Sequence, residues 1–419
     1  MPGTEDFDVV IVGASLAGCS AAILLGRQGF TVALVDKHGG ADAFKRLCGH
    51  FVQASATPTI ERLGIDGPIE AAGGVRNGID VWTGWGVICS REPPGERRHG
   101  FSLRRKKLDP LIRRAASDLP TVDYRPRLRA VGLDRGSTAP TVEFEGADGT
   151  HLRLRGRLVV GADGRASTVA RLARIHERRS RNNRFCYAAY FSDVGLHDTS
   201  LGRMWLDDRD VVIAAPQDEG LTVLATFPHK RELPRFEEDR RSALMSTLQD
   251  LPGLDLTNAR QEDKILGYKS YDLIRRAPTC RPGIALVGDA ALASDPVMAV
   301  GCGWAIESAG WLVDSVTPAL EGSEPLSAGL GRYRRLHRRN LRGHHLLTAM
   351  NARARPIDPL RRMLFSAGAS DPVVAQRLID FGERFITPRE LLSPAIVGRS
   401  ALHMIGSRRG RSQRELAPR

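Results

Sequence analysis

Residues 13–18, GASLAG, put a glycine at each end of a six-residue turn and a small hydroxyl, Ser15, near its centre. That spacing suits a bound anion. Gly13 permits a sharp reversal of the chain, and Gly18 lets a following helix lie close against a strand. The amides that open the helix, around Leu16 and Ala17, then face a negative charge. The middle glycine of the usual pattern is replaced here by Ser15, whose hydroxyl can itself donate to a phosphate. Asp36 comes eighteen residues after Gly18, where a carboxylate is expected to accept hydrogen bonds from a ribose diol. A dinucleotide is the ligand this set of residues describes. Further along, residues 288–303 combine a carboxylate, Asp289, with Pro296 and with Gly301, Cys302 and Gly303 ahead of a helical pattern.

The elements needed to hold these residues are legible. Residues 7–12 form a near-continuous apolar, β-branched run, as a strand covered on both faces requires. An alanine-rich helix follows the turn and ends at Gln28-Gly29, ahead of a strand at 31–35. A third strand at 158–160 meets a turn at 161–164 containing Asp163 and Gly164. There the carboxylate has two readings, cofactor contact or capping of the next helix. A fourth strand at 284–287 ends in Gly288-Asp289.

Three motifs in this order, GASLAG at 13–18, GADGRAS at 161–167 and GDAALASDP at 288–296, resemble the flavoprotein monooxygenase superfamily built on the p-hydroxybenzoate hydroxylase fold. A softer match, FSLRRKKLDP at 101–110, adds an arginine ahead of a helix. The resemblance implies FAD as cofactor. It implies that Asp289 binds the ribityl chain, that Pro296 lies beside the isoalloxazine, and that Gly301, Cys302 and Gly303 offer backbone amides to the flavin. By the same resemblance Asp163 sits near the pyrophosphate, Arg46 and Arg105 reach the FAD from the neighbouring lobe, the backbone of Ala130 touches adenine, and Lys37 lies over the adenosine. Where many hydroxylases of the family carry a histidine after GDAA, this chain has Leu292. Its SDPVMAVGCGWA segment and its Lys45 with Cys48-Gly49 resemble the geranylgeranyl-reductase-like and halogenase-like branch. The halogenase segment Gly-Trp-x-Trp-x-Ile-Pro is missing, the nearest stretch being VWTGWGVIC at 81–89. Cys48 is read either as a small buried apolar residue or, by family position, as a neighbour of the flavin. His50 is read as pocket-lining or as a capping or surface residue, and Trp82, Trp85 and Trp205 as packing.

The fold class expected is α/β: a Rossmann-type FAD-binding domain interleaved with a β-sheet substrate domain, plus a helical C-terminal region. Residues 1–175 supply the first part of the FAD-binding domain, with a β-meander at 121–157. Residues 176–280 supply the substrate sheet, with strands at 187–191, 203–206, 211–215 and 221–227 and an outer helix at 234–251. Residues 281–330 return to the FAD-binding domain, and 331–419 are helical, ending in an irregular basic tail.

The 419 residues carry a formal charge of +13, and only seven of the 61 basic residues are lysine. The basic run at 332–342 is either a solvated helix face or a surface that steers anionic partners, NADPH or an acidic carrier protein. No basic-aromatic pattern points to nucleic acid. The six cysteines are scattered without metal-ligand spacing, so no metal is expected and a reducing, cytoplasmic compartment is. The acidic start is not a signal peptide, and no apolar run reaches membrane-spanning length.

The chemistry expected is oxygenation. An NAD(P)H- and O2-dependent monooxygenase would hydroxylate or epoxidise an apolar or aromatic secondary metabolite, a small-molecule substrate held away from water. With no second glycine fingerprint, NAD(P)H binds transiently or a separate flavin reductase serves. The sequence names no catalytic acid or base. Three alternatives stay open: a flavin-dependent C=C reductase or dehydrogenase, a halogenase, and a cyclase that holds FAD without redox use.

Overall fold

Val9, Val10, Ile11 and Val12 are buried because the Thr4–Val12 strand has a parallel neighbour on each side, long helices over one face and a β-meander with the short helix Thr168–Leu172 over the other. The computed structural model describes residues 3–415 apart from 41, 47, 49–50, 91, 94–95, 135–138, 197–200 and 208–209, with backbone alone for 406–415. His50 and Gly49 lie outside the described residues.

The first sheet runs, edge to edge, through the strands Thr279–Arg281, Ile284–Leu286, His151–Gly161, Thr4–Val12, Val32–Val35 and Val122–Arg125. The five strands from Ile284–Leu286 to Val122–Arg125 are parallel, with Val9 opposite both Val32 and Leu158 and with Val159 opposite Ile284, and Thr279–Arg281 is antiparallel. Val122–Arg125 pairs in parallel with Val32–Val35, so it belongs to the parallel core and not to the meander in which the sequence placed it. The meander consists of Leu128–Asp134, Thr141–Gly146 and the first half of His151–Gly161. Gly13, Asp36, Asp163 and Gly288 all follow the carboxyl ends of parallel strands, the edge where open α/β sheets bind ligands.

The second sheet contains Cys186–Ser192, Leu201–Leu206, Val211–Pro216 and Thr222–Thr226, close to the expected strands. It also takes Phe51–Val52, Val75–Thr83 and Gly100–Ser102 from the part of the chain assigned to the first lobe. The link is a parallel pairing from Gly78 opposite Leu201 to Thr83 opposite Leu206, a crossover that local pattern does not reveal. The single outer helix expected at 234–251 is two helices, Leu233–Glu238 and Arg240–Leu248. Asp239 adopts extended dihedrals and caps the second through Ser242 N–H, which ends one helix and starts the other. These helices cover the outer face of the sheet, where Phe236 stacks on Tyr187 at 5.7 Å. The inner face, with Phe51, Met204, Ile213, Val223 and Ala225, packs against Val297.

Two long helices close the structure. Gly301–Leu320 packs against the glycine-turn helix Leu16–Arg27, and Leu326–Asn351 lies along Gly301–Leu320. The Tyr333 hydroxyl donates to the Leu286 carbonyl at 2.7 Å, tying the last of these to the sheet. The final helix, Pro394–Glu415, continues through most of the tail expected to be irregular. No helix among the described residues is long and apolar enough to cross a membrane.

Candidate active site

Gly13 adopts φ +110°, and a Cβ there would meet the Ala162 carbonyl oxygen at 2.5 Å. A Cβ on Gly18 would sit 1.8 Å from the Gly13 carbonyl oxygen. Both glycines are therefore dictated by close approach of backbone to backbone. The helix they introduce, Leu16–Arg27, begins at Ser15, yet the serine side chain caps none of its amides. The first turn is left to an external acceptor, as an anion site requires. Asp36 accepts the Ala14 N–H and the His38 N–H, each at 2.7 Å, one on either oxygen. Each oxygen keeps a further lone pair for a ribose hydroxyl. These features fit a dinucleotide.

Arg105 opens the Arg105–Ser117 helix and is 3% exposed. It donates to Ser15 Oγ at 2.8 Å and to Asp109 Oδ1 at 2.7 Å. The same guanidinium lies 3.7 Å from Cys48 Sγ and 3.8 Å from Cys302 Sγ. One cation thus joins the glycine turn, the 43–48 segment and the start of the Gly301–Leu320 helix. Arg113, about two turns later, reinforces this by donating to the carbonyls of Ala14 and Ala43 at 3.2 and 2.7 Å.

Gly301, Cys302 and Gly303 form the first turn of a twenty-residue helix whose N-cap, Val300, supplies no side-chain acceptor. A Cβ on Gly301 would find only Asp289 Oδ1, at 3.9 Å. An uncapped, partly open turn of this kind places amide dipoles where negative charge can be held. The sulfurs of Cys48 and Cys302 lie 3.5 Å apart. The Cys302 thiol is held well above its ordinary range, first by its contact with Cys48 and then by burial. Asp289 pairs with Lys45 at 3.1 Å, so the carboxylate expected to meet a ribityl chain already faces a cation 244 residues away in sequence. The buried Gln53 Oε1, 3.8 Å from where a Cβ on Gly303 would lie, has no protein partner, a further sign of a polar ligand on this side.

Asp295, just before Pro296, is 1% exposed. Its Oδ1 accepts the Val297 N–H at 3.2 Å, and the Asn182 side chain and Arg184 also act on the buried carboxyl. Burial pushes this carboxyl up to about 6, against the opposing pull of the Val297 amide and Arg184. It sits where the glycine-rich segment turns beneath the inner face of the second sheet, near Cys186 and Tyr268.

Other expected residues are placed less centrally. Asp163 is consumed as a helix cap, accepting from Ser167 Oγ at 2.5 Å and from the Thr168 and Val169 amides at 2.6 and 3.0 Å. Ala130 is buried on the meander, two residues beyond Leu128, whose N–H donates to the Asp36 carbonyl at 3.0 Å. Lys37 and Arg46 are exposed, the former beside Asp36 and the latter next to the Lys45 that reaches Asp289. Trp205 packs in the second sheet and donates to the Pro252 carbonyl at 3.1 Å. Trp82 is half-buried there and Trp85 exposed. Sequence reasoning missed Asp109, Arg113 and Asp295. The first two fall on one face of the helix after Arg105, at i+4 and i+8, which is the signal that was available.

A family model described as FAD binding domain matches residues 6–340. Over 366 residues, 76% of the chain, it is 24% identical to the tetracenomycin A2 monooxygenase-dioxygenase of Streptomyces glaucescens, and it spans 63% of that protein's length. It is 26% identical over 341 residues to digeranylgeranylglycerophospholipid reductase 1 of Methanopyrus kandleri, covering 78% of this chain and 85% of that one. The solved structure of the flavin-dependent brominase Bmp2 has the same fold, with a TM-score of 0.77 over 98% of this chain and 100% of that one at 16% identity.

Proposed function

The chain belongs to the FAD binding domain family of FAD-dependent oxidoreductases, and from that premise we propose that it is a monooxygenase that uses NAD(P)H and O2 to hydroxylate or epoxidise an apolar or aromatic secondary metabolite in the cytoplasm. The observation that carries this reading is the meeting of two surfaces. The carboxyl ends of the parallel strands face the apolar inner side of the second sheet across the 296–303 segment.

In this reading the uncapped amides at Leu16 and Ala17, with Gly13, Ser15 and Gly18, hold the pyrophosphate, and Asp36 holds the adenosine ribose. Lys37, Ala130 and Asp163 border the adenosine and pyrophosphate region. Arg105, Arg46 and Asp289 close on the cofactor from both lobes. The first turn of the Gly301–Leu320 helix, at Gly301, Cys302 and Gly303, stabilises negative charge beside Pro296. Bound FAD supplies two-electron chemistry between NAD(P)H, oxygen and substrate.

The remaining task of the chain is to orient the substrate and keep water out. Phe51, Met204, Ile213, Val223 and Val297 supply the apolar wall for that. Asp295, buried beside this wall, is protonated below about pH 6. NAD(P)H binds transiently, or a separate flavin reductase or an acidic carrier protein works alongside.

A second reading, reduction of a C=C bond, is favoured by one observation: the chain spans 85% of the reductase relative but 63% of the monooxygenase relative. The test is anaerobic mixing of the purified protein with NADPH while the oxidised-flavin band is followed, then admission of oxygen with candidate substrates. Rapid bleaching followed by oxygen-dependent product supports oxygenation. Product formed anaerobically supports the reductase. Lack of bleaching points to a separate flavin reductase or to a flavin held without redox use.

A further inference from the structure

We propose that Cys48 and Cys302 are a peroxide-responsive thiol pair that closes to a disulfide, tying the 43–48 segment to the first turn of the Gly301–Leu320 helix. This goes beyond the proposed function and requires no bound cofactor. All six cysteines are reduced. Cys48 and Cys302 are 254 residues apart in sequence, yet their sulfurs are 3.5 Å apart, so a bond of about 2.05 Å needs an approach of only about 1.5 Å.

The Arg105 guanidinium lies 3.7 and 3.8 Å from the two sulfurs, a cation that offsets negative charge developing on the partly exposed Cys48. Cys302, held as the thiol by its contact with Cys48 and by burial, keeps its proton until the second step. The two differ in access: Cys48 is partly exposed and Cys302 is buried. Cys48 is therefore the attacking sulfur and Cys302 the resolving one.

The Cys48 thiolate attacks one oxygen of hydrogen peroxide, the O–O bond breaks, and the departing hydroxide takes a proton to leave as water. The resulting Cys48 sulfenic acid is then attacked by the Cys302 sulfur, which loses its proton as the S–S bond forms and the hydroxyl departs as a second water. In total two thiols and one hydrogen peroxide give one disulfide and two waters. Closure fixes the segment that carries Lys45 against Asp289 to the helix start beside it.

The experiment is peptide mapping of the full chain after stoichiometric hydrogen peroxide and alkylation. Trypsin cleaves poorly between Arg281 and Pro282, so Cys280 travels in one peptide with Cys302, and a Cys280→Ser background separates them. The expected result is a fall from five alkylated cysteines to three, with a dithiothreitol-reversible bridge between the Cys48 and Cys302 peptides. In the unsubstituted chain, oxidation at this pair should outpace that of the exposed Cys280 at least about tenfold. In Cys302→Ala, Cys48 should stop at a sulfenic acid that dimedone labels. If that variant does not fold, the mapping of the Cys280→Ser chain decides alone. Retention of five alkylated thiols, a bridge to another cysteine, or Cys48 passing to sulfinic acid with Cys302 still reduced would overturn the proposal.

Discussion

Arg105 donates to Ser15 across ninety residues of sequence at 2.8 Å, so the helix that leads out of the second sheet is locked to the glycine turn of the first. Its other contacts, Asp109 and the sulfurs of Cys48 and Cys302, make it a cation shared by three segments of the candidate site. Removing it leaves a carboxylate that is 1% exposed without its charge partner.

Arg105→Ala should therefore cost about 3–5 kcal/mol of folding stability, the usual penalty for breaking a buried pair. FAD should bind at least tenfold more weakly. Arg105→Lys should recover little, because an ammonium cannot reach Ser15 and Asp109 as a planar fork does. Denaturant unfolding and flavin fluorescence titration measure the two effects.

Asp289→Ala should yield colourless protein with poor FAD retention, and Lys45→Ala should weaken retention less, since it removes the partner but not the carboxylate. The absorbance ratio of flavin to protein after gel filtration is the readout. Full flavinylation of purified Asp289→Ala would remove Asp289 from the cofactor site.

Asp295 is protonated in the folded chain up to about pH 6, whereas the free side chain ionises near 3.8. Its contribution to stability is thus complete below about pH 4 and is lost as pH rises through 6. Asp295→Asn, neutral throughout, should flatten that fall and raise Tm at pH 8 relative to the parent. If Tm at pH 8 drops, the buried oxygen is engaged as an anion.

Burial holds His344 down to about 4, and His337 and His345 likewise. Unfolded histidine takes up protons near 6.5, so the stability these neutral rings contribute is present above 6.5 and lost as pH falls through 4. His344 stacks on Phe381 with ring centres 4.9 Å apart. His344→Phe keeps that packing and removes the titration, so its Tm should decline less between pH 6.5 and 4.5 than the parent's.

Gly18→Ala should abolish folding or cost upward of about 4 kcal/mol, because the new methyl has only the Gly13 carbonyl to occupy. Soluble yield and circular dichroism test it. A stable, flavin-binding Gly18→Ala protein would show that the turn can open.

Much of this was written in local sequence. The 7–12 run, the GASLAG turn and Asp36 specify a strand, a tight turn and a helix through periodicity and backbone freedom, which act over a few residues. The same holds for strands at 187–191 and 211–215, found almost where expected. What local pattern could not supply was partnership. Nothing near 75–83 announces that it pairs in parallel with 201–206, and nothing near 122–125 announces that it completes the first sheet. Asp163 illustrates the boundary: its motif is visible in sequence, but its capping of Thr168 and Val169 depends on where the helix starts. Likewise the FSLRRKKLDP motif points to Arg105 as a residue that reaches the cofactor, while its grip on Ser15, Asp109 and two sulfurs arises only when segments far apart in the chain are brought together. The chain by itself determined the elements and the anion cradle, since these rest on dihedral preference and hydrophobic period. Tertiary structure alone decided which strands share a sheet, which charges are buried and which thiols meet, because those outcomes depend on contacts between residues that sequence separation keeps apart.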